Sequence, residues 1–447
     1  MSNIFSISPL DNRYWSKVNE LSNYFSEYGI IKSRFTVEIL YYEYFLQVID
    51  YNQLISHDCL KDLILKFNKN DALAIKKIEE TTNHDVKAIE YYIQKNDVIE
   101  YPHLVHFGLT SADVSSLAMT HTLKSSIHSC IIPNIETMLL ILEINTKSWK
   151  SIPMLGRTHG QPATPTTVGK ELKVFYYRLN NQLEELSQMK FSTKFGGAVG
   201  NLNAHMVAFP DINWEDKLGK FVESFGISRQ KYTTQIENYD DMSSLFNNLN
   251  RICNILIDLC RDIWSYISMN YFKLKVVKNE VGSSTMPHKV NPINFENAEG
   301  NLMLASTLFT FLANKLPISR LQRDLSDSTV SRNIGVAFGH LLLALKSINT
   351  GLKKIYPDEE VIEYDLNKNG IVLAEALQTI LRKDGNLNAY DIIKDITRGE
   401  CITWENLKNT FKTNLNDKYK DSLNISEQTC EIIDNLRPSN YIGNSKN

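Results

Sequence analysis

Apolar residues recur at steps of three and four over long stretches of this chain. Ile252, Ile255, Leu256, Leu259, Ile263 and Ile267 keep that spacing. So do Leu172, Phe175, Leu179, Leu183 and Leu186, with Tyr176 widening the stripe, and Leu341, Leu345, Ile348 and Leu352. This spacing stacks side chains on one face of a 3.6-residue helix and predicts long amphipathic helices. Period-two alternation is scarce, and the Gly/Asn turns that punctuate strands are missing from these stretches. The pattern predicts an all-α chain. Several helices have apolar faces wide enough to need cover on all sides. Either the chain's own helices supply that cover, or copies associate into an oligomeric bundle.

Three breaks rich in Pro or Gly interrupt the helices, at Pro153 to Pro165, Gly196 to Pro210 and Val281 to Pro292. Each also holds unusual polar residues, and chemistry tends to sit on loops of this kind. Past Pro357 the chain turns more polar, with Asn and Lys frequent. These changes predict three helical domains: an N-terminal one over 1–109, a central long-helix one over 110–355, and a C-terminal one over 356–447.

Composition narrows the picture. The 447 residues are 43% hydrophobic and 22% charged, enough for a sizeable core. A net charge of −3 with both signs interspersed gives no basic surface for nucleic acid. The cysteines Cys59, Cys130, Cys253, Cys260, Cys401 and Cys430 form no CxxC pair, which argues against a disulfide framework or zinc knuckle. Cys253 and Cys260, two helical turns apart, are expected to be buried thiols on one helix face. Residues 1–15 lack the basic region and apolar block of a secretory signal. The apolar run Met138 to Leu142 is too short to span a bilayer. Cytoplasmic residence, with no membrane and no nucleic-acid partner, is the expectation.

The candidate chemistry lies in the breaks. Val281-Gly282-Ser283-Ser284-Thr285-Met286-Pro287-His288-Lys289-Val290-Asn291-Pro292 places hydroxyls, backbone N–H groups and an ammonium in a stretch that two prolines keep from being a regular helix. Taken alone, Ser283 and Ser284 read as helix caps, Lys289 as a solvated lysine and Asn291 as a turn residue. Arg157-Thr158-His159-Gly160-Gln161-Pro162-Ala163 holds a histidine outside any regular helix, and an imidazole titrates near neutrality. Thr81-Thr82-Asn83-His84-Asp85-Val86 has no second His or Cys at ligand spacing, so a metal site is disfavoured. Gly196-Gly197-Ala198-Val199-Gly200-Asn201 lacks the preceding strand of a dinucleotide fingerprint. Val168-Gly169-Lys170-Glu171 lacks the spacing of a Walker loop.

The Ser283–Pro292 and Thr158–Ala163 strings resemble the signatures of the fumarase/aspartase superfamily. Met286-Pro287-His288-Lys289 and Thr81 to Val86 are similar to the adenylosuccinate lyase family in particular. The resemblance implies a central long-helix bundle, a homotetramer with a shared helical core, and active sites composed from several subunits. It implies β-elimination of fumarate from succinylated nucleotides with no cofactor or metal. Such chemistry needs a base for the proton next to a carboxylate, fixed positive charge for the carbanion, and an acid for the leaving nitrogen.

Residue by residue, the resemblance makes Ser283 the general base and His159 the general acid. Glu296 takes the position of the carboxylate that orients the histidine, and His84 contacts substrate or assists protonation. Ser284, Lys289 and Asn291 are implied for the succinyl group, and Asn83 and Asp85 flank His84. Arg13 and Tyr14 in Ser8 to Tyr14, Thr110 and Ser111 in Phe107 to Ser111, and Gln235 in Thr233 to Glu237 are further implied contacts. Asn297 belongs with Arg323, Ser328 and Arg332 of the segment Arg320 to Arg332 in the nucleotide-phosphate region; arginine matches phosphate in geometry as well as charge. Asn12 stands where relatives often have Gly, and Ala112 where they often have a polar residue. Another lyase or cycloisomerase of the same fold, such as an argininosuccinate lyase, is the near rival, opposed by His288 and the Asn-His-Asp triplet. A non-catalytic helical scaffold is the distant one.

Overall fold

The computed structural model describes residues 4–51, 57–276, 285–399, 403–417 and 423–446. Helix makes up 67% of it, so helix packing sets the architecture; of three two-stranded sheets one is a hairpin, and the other two pair Ser192–Thr193 with Ser228–Arg229 and Phe272–Leu274 with Ile355–Pro357. The chain divides into two compact units, each gathered from three stretches. The first takes Met1–Glu136, Asn181–Ile257 and Ala298–Lys346; the second takes Thr137–Asn180, Asp258–Asn297 and Ser347–Asn447.

The first unit is built on the helix Glu27–Val48, whose buried residues include the adjacent pair Tyr41 and Tyr42 and the pair Phe45 and Leu46. Adjacent residues point to different sides of a helix, so this one is covered nearly all round. Phe45 stacks on Trp214 at 5.7 Å, and Ile89, Val114, Leu117, Phe195 and Phe221 join the same core. Helix Ser111–Ser126 continues through a π turn, Ile127–Ile131, into Ile132–Ser148. By length and composition the whole run could cross a membrane. Its buried Asp113 and Thr120, however, hydrogen-bond to protein groups, as suits a core helix.

The second unit carries the main departure from the all-α expectation. Pro153–Thr158 and Gln161–Thr167 pair as an antiparallel hairpin with an irregularity between Met154 and Gly156. Proline at 153, 162 and 165 forbids a continuous helix here, and the β-branched Thr158, Thr164, Thr166 and Thr167 favour extended backbone. The bulge breaks the inside–outside alternation, so no period-two signal survives. Met154 packs with Ile152, Val168, Tyr271, Phe272 and Ile362; Leu155 packs with Leu366 and Val372. A separate apolar cluster around Leu373, Leu377, Trp404 and Phe411 holds the C-terminal helices. Cys253 and Cys260 are buried thiols on helix Asp240–Ser268, as their spacing predicted. The break over 196–210 is not all loop: Asn203–Ala208 forms a short helix.

Candidate active site

In the first unit, the segment from Thr81 to Val86 is a corner between two helices. Lys69–Thr82 ends at Asn83, whose φ of 50° lies in the left-handed region that Asn tolerates. His84 then caps helix Asp85–Gln94: its Nδ1 accepts the Lys87 N–H at 3.1 Å. That bond needs a lone pair on Nδ1, so Nε2 carries the proton and is the ring atom left to face a ligand. His84 is exposed and Asp85 half-buried.

Asp85 is clamped between two guanidinium groups. Arg34 Nη1 donates to its Oδ2 at 2.7 Å and Arg332 Nη2 at 2.9 Å. Burial alone would raise this carboxyl. The charge and hydrogen bond of Arg34, the Val86 N–H and Arg332 outweigh it and bring the group down to about 2. Asp85 is therefore an anion that holds two arginines in place. Arg332, Ser328 and Arg323 all come from or flank the short helix Ser326–Ser331.

Arg323 Nη1 donates to Gln235 Oε1 at 3.4 Å, so two expected contacts meet. Its Nε stands 3.8 Å from Asp327 Oδ1, beyond hydrogen-bond reach. Both of these atoms are buried with no hydrogen bond, facing each other only as a long ion pair. Asp327 Oδ2 is taken by the Tyr239 hydroxyl at 3.2 Å. Arg34, Asp85, Ser111, Arg323, Asp327 and Ser328 are among the residues lining a small cavity. Its volume is about 70 Å³, well below the roughly 300–1,000 Å³ of a complete small-molecule pocket. A buried guanidinium N–H that makes no hydrogen bond, beside serine hydroxyls, suits an oxyanion. Arg332 also borders a second cavity of about 240 Å³, shared with Ser8, Asp11, Trp15, Ser22 and Ser26. Arg13 is exposed, its guanidinium 5.8 Å from the Tyr14 ring.

Thr110 and Ser111 open helix Ser111–Ser126. Asp113 caps the turn by accepting the Thr110 N–H at 2.8 Å, and its Oδ1 also accepts the Gly196 N–H at 2.7 Å. Lys194 pairs with Asp113 at 2.6 Å, both side chains being fully buried. Burial lowers the Lys194 ammonium, against the pull of Asp113. The Gly196–Asn201 segment is thus a backbone support for Thr110 and Ser111. At Gly200, φ is +84° and a Cβ would meet the Thr233 carbonyl at 2.3 Å, so only glycine fits. Glu237 is buried. Desolvation raises it to about 8, despite hydrogen bonds from Thr193 and Thr120.

In the second unit, His159 sits at the hairpin tip with φ 54°, followed by Gly160 at φ 73°. It is exposed. The hairpin's shoulders are tied down. Arg157 pairs with Asp365 at 2.6 Å, and Asp365 also accepts from Tyr271 at 2.5 Å and Asn369 at 3.0 Å. Thr164 donates to Glu375 at 2.5 Å, and Tyr441 reaches the same carboxylate at 3.2 Å. Glu296, in the first turn of helix Ile293–Lys315, is exposed and accepts the Trp264 indole N–H at 3.1 Å. Asn297 accepts from Ser347 at 3.0 Å. Lys289 is exposed and Asn291 half-buried before that helix. Ser283 and Ser284 lie outside the described residues. Among the described residues the His159 ring has no hydrogen-bond partner, and no group of His, Cys, Asp and Glu is arranged to hold a metal ion.

The arginine–serine cavity, the Asn83–Asp85 corner and Gln235 therefore come together within one unit. Arg34 and Tyr239 are neighbours that no motif announced, Arg34 being a charge on the long helix Glu27–Val48 and Tyr239 a hydroxyl just ahead of helix Asp240–Ser268; Asp327 lies inside the Arg320 to Arg332 segment, but no role was expected of it. Arg157 stands in the same string as His159, but its partner Asp365, 208 positions away, carries no sequence signal.

Comparison with known proteins adds to this. A protein family described as Lyase matches residues 50–306, and one described as Adenylosuccinate lyase C-terminal matches residues 319–442. The chain is 48% identical to the adenylosuccinate lyase of Dictyostelium discoideum over 465 residues, covering 99% of this chain and 97% of that protein. It is 40% identical to that of Escherichia coli strain K12 over 463 residues, with the same coverage. Among solved structures, a fumarate lyase from Mesorhizobium sp. BNC1 superimposes with a TM-score of 0.76 at 17% identity, over 96% of each chain. A β-carboxy-cis,cis-muconate cycloisomerase from Acinetobacter calcoaceticus sp. ADP1 gives 0.74 at 18%, over 97% of this chain and 98% of that one. At such identities the structural matches establish the long-helix lyase fold alone.

Proposed function

Because this chain belongs to the adenylosuccinate lyase family of the fumarase/aspartase superfamily, and is an enzyme of purine biosynthesis with that activity, we propose how its residues divide the reaction. Ser283, ionised, takes the proton next to a carboxylate of the succinyl group. The electron pair spreads onto that carboxylate as an aci-carboxylate, which Lys289, Asn291 and the N–H groups around Ser284 stabilise. The C–N bond then breaks, and protonated His159 gives its proton to the departing nitrogen. Fumarate leaves with AMP from adenylosuccinate, or with the carboxamide ribotide from the earlier succinylated intermediate. Glu296 orients His159, and the Nε2–H of His84 donates to the substrate.

The observation that carries the nucleotide half of this reading is the buried Arg323 Nε, which makes no hydrogen bond, in a serine-lined cavity. An ester phosphate meets that donor, with Arg332 beside it and Ser111 and Ser328 as hydroxyl contacts. Arg13, Tyr14, Asn83, Asp85, Thr110, Gln235 and Asn297 complete the enclosure.

The site is composed from several chains of a homotetramer, each with the three helical domains 1–109, 110–355 and 356–447, working in the cytoplasm. Two features support the assembly. The cavity is too small for a nucleotide, and apolar side chains stand exposed at helical spacing on the long helices: Met303, Leu304 and Phe311 on one, Leu140 and Ile144 on another. Exposed apolar stripes of this kind mark association surfaces.

The test is turnover of adenylosuccinate by purified protein, together with the variants Ser283→Ala and His159→Ala. Each variant is expected to lose about 10²–10⁴-fold in kcat while remaining folded and tetrameric. Mixing the two inactive variants restores partial activity if sites are shared between chains. Full activity in either variant, or a monomeric active enzyme, overturns the corresponding part.

A further inference from the structure

A second cavity in the second unit has no part in the reaction above. It encloses about 330 Å³ between the end of helix Ile132–Ser148 and the start of helix Val168–Ser187. Lys147, Lys150, Lys170, Lys173 and Lys446 line it, with Glu143 as the only carboxylate among the described lining residues. Glu143 is already paired with Lys147 at 2.5 Å, and Lys170 reaches Glu171 at 3.0 Å. Lys150 has no ion pair among the described residues. Gathering five ammonium groups around one space is repulsive unless an anion shares it.

Two details speak against an accidental surface cluster. Lys147 and Lys150 close a helix C-terminus, where positive charge is welcome, but Lys170 lies in the first turn of a helix, where it is opposed by the helix dipole. The lining hydroxyls of Thr146 and Ser445 are buried at their oxygen atoms, and neither has a hydrogen-bond partner. Buried hydroxyls are normally satisfied. A ligand with several oxygens would satisfy both.

We propose that this cavity binds the di- or triphosphate group of a small anion. Multiple phosphate oxygens accept from the lysines and from Thr146 and Ser445, while Tyr176 and Tyr177 offer a wall for a base when the group is carried by a nucleotide. The site goes beyond the proposed reaction and shares none of its residues.

The probe is inorganic pyrophosphate, titrated calorimetrically into the full-length protein with AMP present to fill the substrate site, then repeated with ATP. One pyrophosphate per chain is expected. Lys150→Gln combined with Lys173→Gln should weaken it at least tenfold and leave adenylosuccinate turnover unchanged, whereas Arg332→Gln should leave it intact. Tighter binding of ATP identifies a nucleotide as the carrier, and equal or weaker binding identifies the free polyphosphate. Absence of binding, binding that survives the double substitution, binding lost in Arg332→Gln, or an affinity no better than that for sulfate overturns the proposal. Failure of AMP itself to bind counts against the proposed reaction; the titration then runs without AMP on Arg332→Gln protein.

Discussion

The arginine cavity of the first unit and the His159 hairpin of the second are organised in opposite ways. In the cavity the side chains proposed to bind phosphate are themselves fixed: Arg332 by Asp85, Arg323 by Gln235, and Asp85 by Arg34 as well. In the hairpin the ring proposed as the acid is exposed and its neighbours are fixed instead, through Arg157 to Asp365 and Thr164 to Glu375. Recognition of a constant group gains from preorganised charge, because ordering is completed before binding. A proton donor must meet a moving partner, so rigidity is placed one step behind it.

Four substitutions probe that contrast. The largest effect is expected from Arg323→Gln, which removes a charge-assisted pair of about 1.5–3 kcal/mol. It should raise KM by about 10–100-fold with a smaller change in kcat; a loss confined to kcat would place Arg323 with the chemistry. Next, Asp365→Asn removes the charge that anchors Arg157, and kcat should fall about tenfold with KM nearly constant, as expected when a donor is misplaced. An unchanged kcat with a lowered Tm would make the anchor merely structural. Asp85→Asn releases Arg332 and should raise KM severalfold. It has a signature in stability too. The folded carboxyl lies at about 2, below its unfolded value. Its contribution is therefore present above about pH 4 and lost as pH falls towards 2. The variant should lack that part of the acid limb in urea unfolding.

The smallest effect on activity belongs to Glu237→Gln. Glu237 is raised to about 8, so the folded state holds a proton that the unfolded state gives up near pH 4.3. Its contribution is complete below that value and fades as pH climbs through 8. The amide variant should keep turnover and show a flatter fall of stability between pH 5 and 8. An unaltered slope would mean the carboxyl is ionised in the folded protein.

Much of the proposed recognition half shows in the sequence as local strings. Arg323, Ser328 and Arg332 lie within ten residues of one another, and Asn83 to Asp85 are contiguous, so a motif can contain them. Arg34 and Asp85 are 51 positions apart, Arg157 and Asp365 208, and no local pattern joins such partners. The hairpin escaped notice for a different reason. Its strand Pro153–Thr158 buries Met154 and Leu155 in succession across an irregular register, and three prolines read as loop. Helix, by contrast, repeats its signal over many turns, so its existence was clear even where its partners were not.

The left-handed backbone at residue 159 narrows what protein engineers can install there. Asparagine, aspartate and glycine accept that geometry with little strain, whereas valine, isoleucine and threonine resist it. A saturation library at the tip will therefore sort by loop shape before it sorts by the proposed proton transfer. Asparagine is the cleaner silent control, and any β-branched survivor must have remodelled its turn.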